Sequence, residues 1–486
     1  MTLLDTTTPE PVSTPESNPT PPSHRGWFGQ LLFRLHFYAG IFIGPFILIA
    51  ALSGALYAVS PQIEQVVYDK ELHAPAAAAY LPLADQVEAA NDYLNHAESP
   101  IAVRPAPKAG DTTRVMYAGE NLGSSETRAI FIDPATAEVR GDLTAYGTSG
   151  ALPLRNWISQ VHRNLNLGEP GRVYSELAAS WLGIIALAGF GLWLMRITKT
   201  KRKKDLLRPN TKAKGYRRLA SWHGSLGIWV LLGAVFLSIT GITWSTYGGA
   251  NVGDLRTAMN WGTPSVSTNL TDAAEPPGGE HAHHHAPAAP SAGPVNPAAF
   301  DTMFSIAREV NINTGLVEIK PPAAARKAWA IQELQRSYPT EVDAVSINGQ
   351  TLEIVDRVDF KDFNLAAKLT RWGIDTHMGS MFGLPNQIAL FLLATSIATM
   401  VALGYRMWWT RRPTRNPAQR MGKPPERGAL GRAPWWGTLL VLVAAAGIGV
   451  FLPLMGISLA AFVIVDFVLM KVQARDHPSV ITSGHS

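Results

Sequence analysis

The chain has no cysteine in its 486 residues. That excludes disulfides, thiolate-bound iron–sulfur clusters and the Cys-x-x-Cys-His attachment of c-type haem, so any haem here is held non-covalently. Charge is scarce too. Asp, Glu, Lys and Arg make up 16% of residues against 47% apolar ones, which is low for a soluble enzyme. No G-x-G-x-x-G links a strand to a helix, so no nicotinamide or flavin fingerprint is present. No short apolar core with a cleavage frame marks a signal peptide. Residues 1–26, rich in Pro, Thr and Ser, read as a disordered cytoplasmic tail.

What the chain does have is six apolar segments: Leu31–Val59, Leu177–Ile197, Leu219–Trp244, Ile388–Trp409, Trp435–Phe451 and Leu454–Met470. The first four are long enough to span about 30 Å of hydrocarbon. The last two, separated by Pro453, read as a tight hairpin of spanning helices, with one long broken helix as the competitor. Between segments two and three lie Lys199, Lys201, Arg202, Lys203, Lys204, Arg208, Lys212, Lys214, Arg217 and Arg218 against Asp205 alone. After segment four come Arg411, Arg412, Arg415, Arg420, Lys423, Arg427 and Arg432 against Glu426. Positive loops stay inside, so both loops and both termini are expected in the cytoplasm of a bacterial inner membrane. These runs abut membrane helices, which argues against nucleic acid as a partner. The order is then tail (1–26), helix 1 (27–59), outer module 1 (60–176), helix 2 (177–197), basic loop (198–218), helix 3 (219–245), outer module 2 (246–387), helix 4 (388–410), basic loop (411–434), helices 5 and 6 (435–471) and a cytoplasmic tail (472–486).

The sequence repeats itself. A shift of 187 carries His36, Gly40 and Gly54 onto His223, Gly227 and Gly241. A shift of 215 carries Trp157 and His162 onto Trp372 and His377, Ile132-Asp133-Pro134 onto Ile347-Asn348-Gly349, and Pro82 onto Pro297. Each copy is helix, outer module, histidine, helix. The first module predicts a helix over Leu81–His96 and strands at Arg114–Tyr117, Ala129–Ile132 and Thr136–Arg140. The second predicts a helix over Pro297–Val310, strands at Ala328–Leu334, Ala344–Ile347 and Thr351–Val355, and a tight turn at Asn348-Gly349. The expected fold is an α-helical multi-pass membrane protein of about six spanning helices, a duplicated half, with two small separate α+β modules outside.

The four framed histidines carry the chemistry. His36 and His223 begin helices that start inside, so they share a depth near the inner face. His162 and His377 precede helices that start outside, so they share a depth near the outer face. Two imidazoles clamping one iron from both faces leave no open position, which suits electron transfer rather than oxygen activation. Gly40 and Gly227, four residues after their histidines, permit close approach of a helix or a flat cofactor. Trp157, Trp222 and Trp372 suit either a porphyrin edge or a membrane interface. Arg155 and Arg371 suit haem propionates, an anionic substrate or a membrane boundary. The difference between the shifts, 215 − 187 = 28, places an insert in copy two between Gly241 and Pro297, and it contains His281, His283, His284 and His285. Clustered imidazoles bind Cu, Zn, Ni or Fe, so this is a candidate metal-collecting loop, with a His-rich linker as the alternative.

The frames Arg34-Leu35-His36-x3-Gly40, Ser53-Gly54, Trp157-x4-His162, Trp222-His223-x3-Gly227, Thr240-Gly241 and Trp372-x4-His377 resemble the PepSY-associated transmembrane family over about residues 27–412. The outer modules resemble PepSY domains. The resemblance implies an iron-uptake context. In FoxB-type members it implies two haem b groups, here at His36/His223 and His162/His377, and reduction of ferric siderophores outside the inner membrane. The electron donor would be a quinol, a reduced flavin or a separate reductase, with membrane lipid as the surrounding partner. Two other classes stay open. One is a siderophore or metal transporter, for which Asp466 is the main intramembrane acid. The other is a haem-free PepSY module that binds or regulates a partner.

Overall fold

The computed structural model describes residues 26–198, 207–270, 293–411 and 429–476. The tail expected before residue 26, the lysine run 199–204, most of the second basic loop, His281, His283, His284 and His285, and residues 477–486 lie outside the described residues.

Among the described residues four helices are long and apolar enough to cross a membrane, and the chain is a multi-pass helical membrane protein. The first expected helix is two. α1 (Trp27–Phe42) and α2 (Gly44–Val67) meet at Ile43. Pro45 causes the break, since it lacks an N–H and its ring crowds the preceding turn. α3 (Asp69–Leu72), α4 (Leu83–Tyr93) and α5 (Pro153–Asn164) precede the spanning α6 (Arg172–Ile197). α7 (Gly215–Thr243) is continuous where its counterpart is broken. α8 (Tyr247–Ala258), α9 (Ala298–Val310) and α10 (Leu365–His377) then lead to the spanning α11 (Leu384–Thr410).

The shifts map α1 and α2 onto α7, and α6 onto α11. Packing obeys the same exchange: α6 lies along α7 as α11 lies along α2, and α1 on α6 as α7 on α11. The bundle is therefore two copies related by a local two-fold. Lipid is as apolar as a leucine side chain, so close approach has to come from small residues. Ala39, Ala51, Ala178, Ala234 and Ala398 supply it, around Trp181. At Gly183 an added Cβ would stand 2.6 Å from Ser238 Oγ, the atom that donates to Ala179 O and accepts the Gly183 N–H.

Outside the bundle the two expected modules are one body. β1 (Pro100–Arg104), β2 (Thr113–Tyr117), β3 (Glu126–Ile132), β4 (Val139–Tyr146), β5 (Val317–Lys320), β6 (Trp329–Glu333), β7 (Ala344–Ile347) and β8 (Ile354–Val358) form one antiparallel sheet. Its order is β4-β3-β2-β1-β5-β6-β7-β8, a palindrome about the β1/β5 seam. Separate modules are thus a wrong expectation, and the strands that join them are the two that the sequence pattern does not show. At the seam Val103 pairs with Ile319, which sets Arg104 opposite Glu318. Their side chains close an ion pair of 2.6 Å. Asp301 of α9 accepts the N–H groups of Leu83 and Ala84, capping α4 of the other copy.

The tight Asn348-Gly349 turn is wider than expected. Asn348 and Leu352 close it, with Leu352 at φ 62°, as Asp133 and Ala137 do in copy one, with Ala137 at φ 60°. One sheet face packs beneath α4 and α9 through Tyr117, Ile130, Phe300 and Ile331. The other face, toward the bundle, carries Ala102, Phe131 and Leu152.

α12 (Trp435–Phe451) and α13 (Pro453–Asp476) form a hairpin, turning at Leu452 with Gly449 against Gly456. It docks on the bundle through Trp181 Nε1–H to Ser458 Oγ at 2.9 Å and through Arg34 to Asp466 at 2.7 Å. Asp466 is thus the partner of a buried arginine.

Candidate functional site

The exchange of copies brings one histidine of each copy to each of two places. On the side of the bundle away from the sheet, the His36 and His223 rings have centroids 6.0 Å apart at 78°. His36 Nδ1 lies 2.9 Å from Ile185 O, and His223 Nδ1 lies 3.2 Å from Met400 O. Residues 185 and 400 are themselves one shift of 215 apart. Beside them a Cβ built on Gly189 would stand 2.9 Å from His36 Cε1, and one on Gly404, again 215 further on, 4.0 Å from His223 Cε1. Glycine at 189 lets the ring lie against the helix.

Toward the sheet, His162 Nδ1 lies 3.1 Å from Ser53 Oγ, and His377 Nδ1 lies 2.6 Å from Thr240 Oγ1. Residues 53 and 240 are one shift of 187 apart. Trp244 meets the His377 ring edge-on at 5.4 Å and Phe236 flanks it at 6.5 Å. Neutral imidazole is the state in which histidine is a ligand. Thr240 is 17 residues beyond His223 on the continuous α7 (240 − 223), about 25 Å along a helix rising 1.5 Å per residue. The two pairs sit at two depths of the apolar slab.

The partners fix the tautomers. A carbonyl oxygen only accepts, so Ile185 and Met400 require Nδ1–H on His36 and His223. Ser53 Oγ gives its proton to Ile49 O at 2.7 Å, and Thr240 Oγ1 gives its own to Phe236 O at 2.7 Å. Each hydroxyl therefore accepts from the histidine beside it. With the protons so assigned, all four rings are Nδ1–H and keep the Nε2 lone pair for a metal. Metal-bound imidazoles characteristically have this arrangement, the second nitrogen donating to an acceptor that orients the ring. The His36–His223 spacing fits as well: an imidazole nitrogen lies about 2 Å from a first-row metal, so two rings that would hold one ion have centres up to roughly 6 Å apart.

Arginines gather between the sheet-side pair and the sheet. Arg155 faces Tyr57 and pairs with Glu64 at 3.7 Å. Arg371 and Arg336 converge on the fully buried Asp375 at 2.8 and 3.9 Å. Burial and then Arg104 lower the pKa of Arg114 to about 10, and burial and then Arg371 do the same for Arg336. Arg155 acts on both. The group is five arginines, with Arg104 and Arg114 from the sheet, against Glu64, Asp111, Glu318 and Asp375. Arg155 Nε and Trp372 Nε1 are buried with no hydrogen-bond acceptor.

Of the remaining expected residues, a Cβ on Gly40 would meet nothing within 4 Å, whereas one on Gly227 would meet Met400 Cε at 3.1 Å. Trp372 packs on Phe360 at 6.1 Å. Trp157 is 56% exposed and Trp222 39%, as membrane-interface tryptophans would be. The rings that touch a site histidine are instead Phe236 and Trp244, which no repeat frame marks. Gly189 and Gly404 do obey the 215 shift and could have been found from it. Arg336 stands in a loop without a counterpart signal.

The family described as PepSY-associated TM region matches residues 33–411. No curated protein matches the chain.

Proposed function

The chain belongs to the PepSY-associated TM family, and from that premise we propose that it is an inner-membrane electron carrier that holds two haem b groups and reduces ferric siderophores on the sheet side. The observation that carries this reading is the set of four Nδ1 contacts, to Ile185 O, Met400 O, Ser53 Oγ and Thr240 Oγ1, with the His36 and His223 ring centroids 6.0 Å apart. When bound, each haem would supply reversible one-electron chemistry.

The protein's own groups would do the rest. Ile185 O, Met400 O, Ser53 Oγ and Thr240 Oγ1 orient the four ligands and enrich their basicity. His36 and His223 would hold the far-side group, and His162 and His377 the sheet-side one. Arg155, Arg336 and Arg371 would receive anionic groups, whether propionates or a negatively charged chelate, with Arg155 Nε and Trp372 Nε1 as donors still in need of acceptors. The sheet is the large folded surface above the sheet-side pair, and it would hold the chelate. Reduction lowers the charge on the chelated iron, so hard oxygen ligands release it more readily. The far side is read as cytoplasmic and the sheet as the PepSY portion facing the periplasm. A transporter reading loses its main support, because Asp466 is tied to Arg34.

The test is an optical spectrum of the detergent-purified chain. Two low-spin b-type haems per chain, reduced by dithionite and reoxidised by ferric siderophores, are expected. Protein colourless after expression with haem precursor would remove the proposal. Reoxidation by copper salts or a quinone but not by ferric chelates would leave electron transfer and remove the substrate.

A further inference from the structure

Three carboxylates converge on the helix-covered face of β6 and β7. Gln332 pairs with Ala344 and Gln335 bridges to Glu341, which sets Glu333 opposite Asp343 and puts all three acids on one face. One oxygen from each lies within 4.8 Å of the others. Like charges placed opposite each other weaken a sheet, so the arrangement calls for a counter-charge. Glu333 is 2% exposed. Its Oε1 accepts the N–H groups of Asn313 and Thr314, and its Oε2 is buried with no donor. Asp343 Oδ1 accepts the Phe360 N–H at 2.7 Å.

A separate residue points to the same place. Asn311 is 3% exposed. Its Nδ2 donates to Ala344 O and to Asp359 Oδ1, and two acceptors on one atom fix the orientation of the amide. Its Oδ1 is left buried without a donor. Asn311, Glu341 and Asp343 line one cavity of about 340 Å³. Arg357 and Lys361 also line it, but both are engaged on Asp359, at 2.7 and 3.1 Å.

Oxygen donors alone, carboxylate and amide, suit a hard divalent cation; the group holds no imidazole for a softer metal. We propose that Glu333, Glu341, Asp343 and Asn311 bind one Ca²⁺ ion that ties the β6–β7 hairpin to the loop following α9. The first copy has no such site. A shift of 215 puts Ala118, Glu126 and Arg128 at the three acidic positions, and Arg128 forms its own fork with Asp142.

The experiment uses the full chain in detergent, stripped with EDTA, with CaCl2 titrated by calorimetry and by thermal melting. One Ca²⁺ per chain is expected. Above Kd, each tenfold rise in free Ca²⁺ should raise Tm by a constant step. Asp343→Asn and Glu341→Gln should each abolish the heat and the step, while their calcium-free Tm equals or exceeds that of the unchanged chain, since repulsion is relieved. Neither heat nor a Tm change at about 10 mM Ca²⁺, beyond the weakest extracellular calcium modules, would overturn the proposal. So would unchanged Ca²⁺ binding in both variants. The titration of the unchanged chain decides the matter even if a variant fails to fold, and it is independent of haem content.

Discussion

Replacing Thr240 with valine keeps the shape of the side chain and removes one atom's function. Thr240 Oγ1 accepts the His377 Nδ1–H at 2.6 Å. Valine leaves that donor buried and unpaired, at a cost of about 1–3 kcal/mol. Loss of such an orienting partner typically lowers metal affinity about 10–100-fold. If the oxidised form of the site loses between a third of a tenfold and a full tenfold more than the reduced form, the midpoint potential rises by roughly 20–60 mV, since tenfold is about 59 mV for one electron. The direction follows from chemistry: an imidazole that no longer donates is a poorer base and favours the higher oxidation state less. Spectroelectrochemical titration of the purified chain should read two waves. Thr240→Val and Ser53→Ala should raise the same wave and spare the other, and Thr240→Ser should restore it. If the two variants move different waves, or if neither wave moves, the tautomer argument for the sheet-side pair is wrong.

Substituting His36 or His223 with alanine should remove one haem per chain, and His162 or His377 the other, as counted by pyridine haemochrome; loss of the same haem from His36→Ala and His162→Ala would break the pairing. Arg155→Gln or Arg336→Gln should weaken binding of negatively charged ferric chelates about 10–100-fold, the worth of a charged hydrogen bond, while cationic chelates are spared; equal losses for both would place chelate binding elsewhere. Arg104→Met should destabilise the sheet toward the lower end of about 3–5 kcal/mol in denaturant melts, because Glu318 is left buried with Lys320, at 2.9 Å, as its one cation and Gln332 Nε2 as a neutral donor. The pH dependence has a definite sign. Burial alone would raise the Glu318 pKa, but Arg104 and Lys320 outweigh it and the folded value lies below the ordinary 4.5. Its stabilisation is therefore complete above pH 4.5 and is lost as pH falls toward the folded value, a slope that Glu318→Gln should flatten.

The repeat made much of this legible. His36 with His223 and His162 with His377 were readable because a two-fold assembly puts equivalent residues at one depth, and the shifts exposed the equivalence. The seam strands were not. β1 and β5 are short and buried on both faces, with burial running Pro100-Ala102-Val103 and Val317-Glu318-Ile319. They have no polar alternation to mark them, so the single sheet could not be inferred. Asn348-Gly349 misled because the dipeptide favours a two-residue turn, while the copy-one partner Asp133-Pro134 already requires a wider one; the structure gives both copies the wider form. The break after α1 was missed, although Pro45 inside an apolar run is the ordinary signal for one. The tryptophans failed as a signal because interface and porphyrin edge select the same residue type.

A two-fold molecule has no built-in direction along its axis other than the difference between its two ends. Within each pair the copies contribute the same residue and the same kind of Nδ1 acceptor, so no gradient arises inside a site. The ends do differ. The far-side histidines rest on neutral backbone carbonyls. The sheet-side pair lies under five arginines against four carboxylates. A single positive charge in excess, taken at roughly 10 Å and an effective dielectric of about 20, contributes about 1.7 kcal/mol. That is roughly 70 mV for one electron, and it favours the reduced state on the sheet side. Electrons entering from the far side would therefore run downhill toward the sheet, and an anion bound among the arginines would shrink the gradient. The expected result is a sheet-side wave above the far-side wave, assigned by the His162→Ala and His36→Ala chains, with Arg155→Gln lowering the upper wave alone. A far-side wave that lies higher would reverse the direction of transfer and leave the sheet as the place where electrons enter.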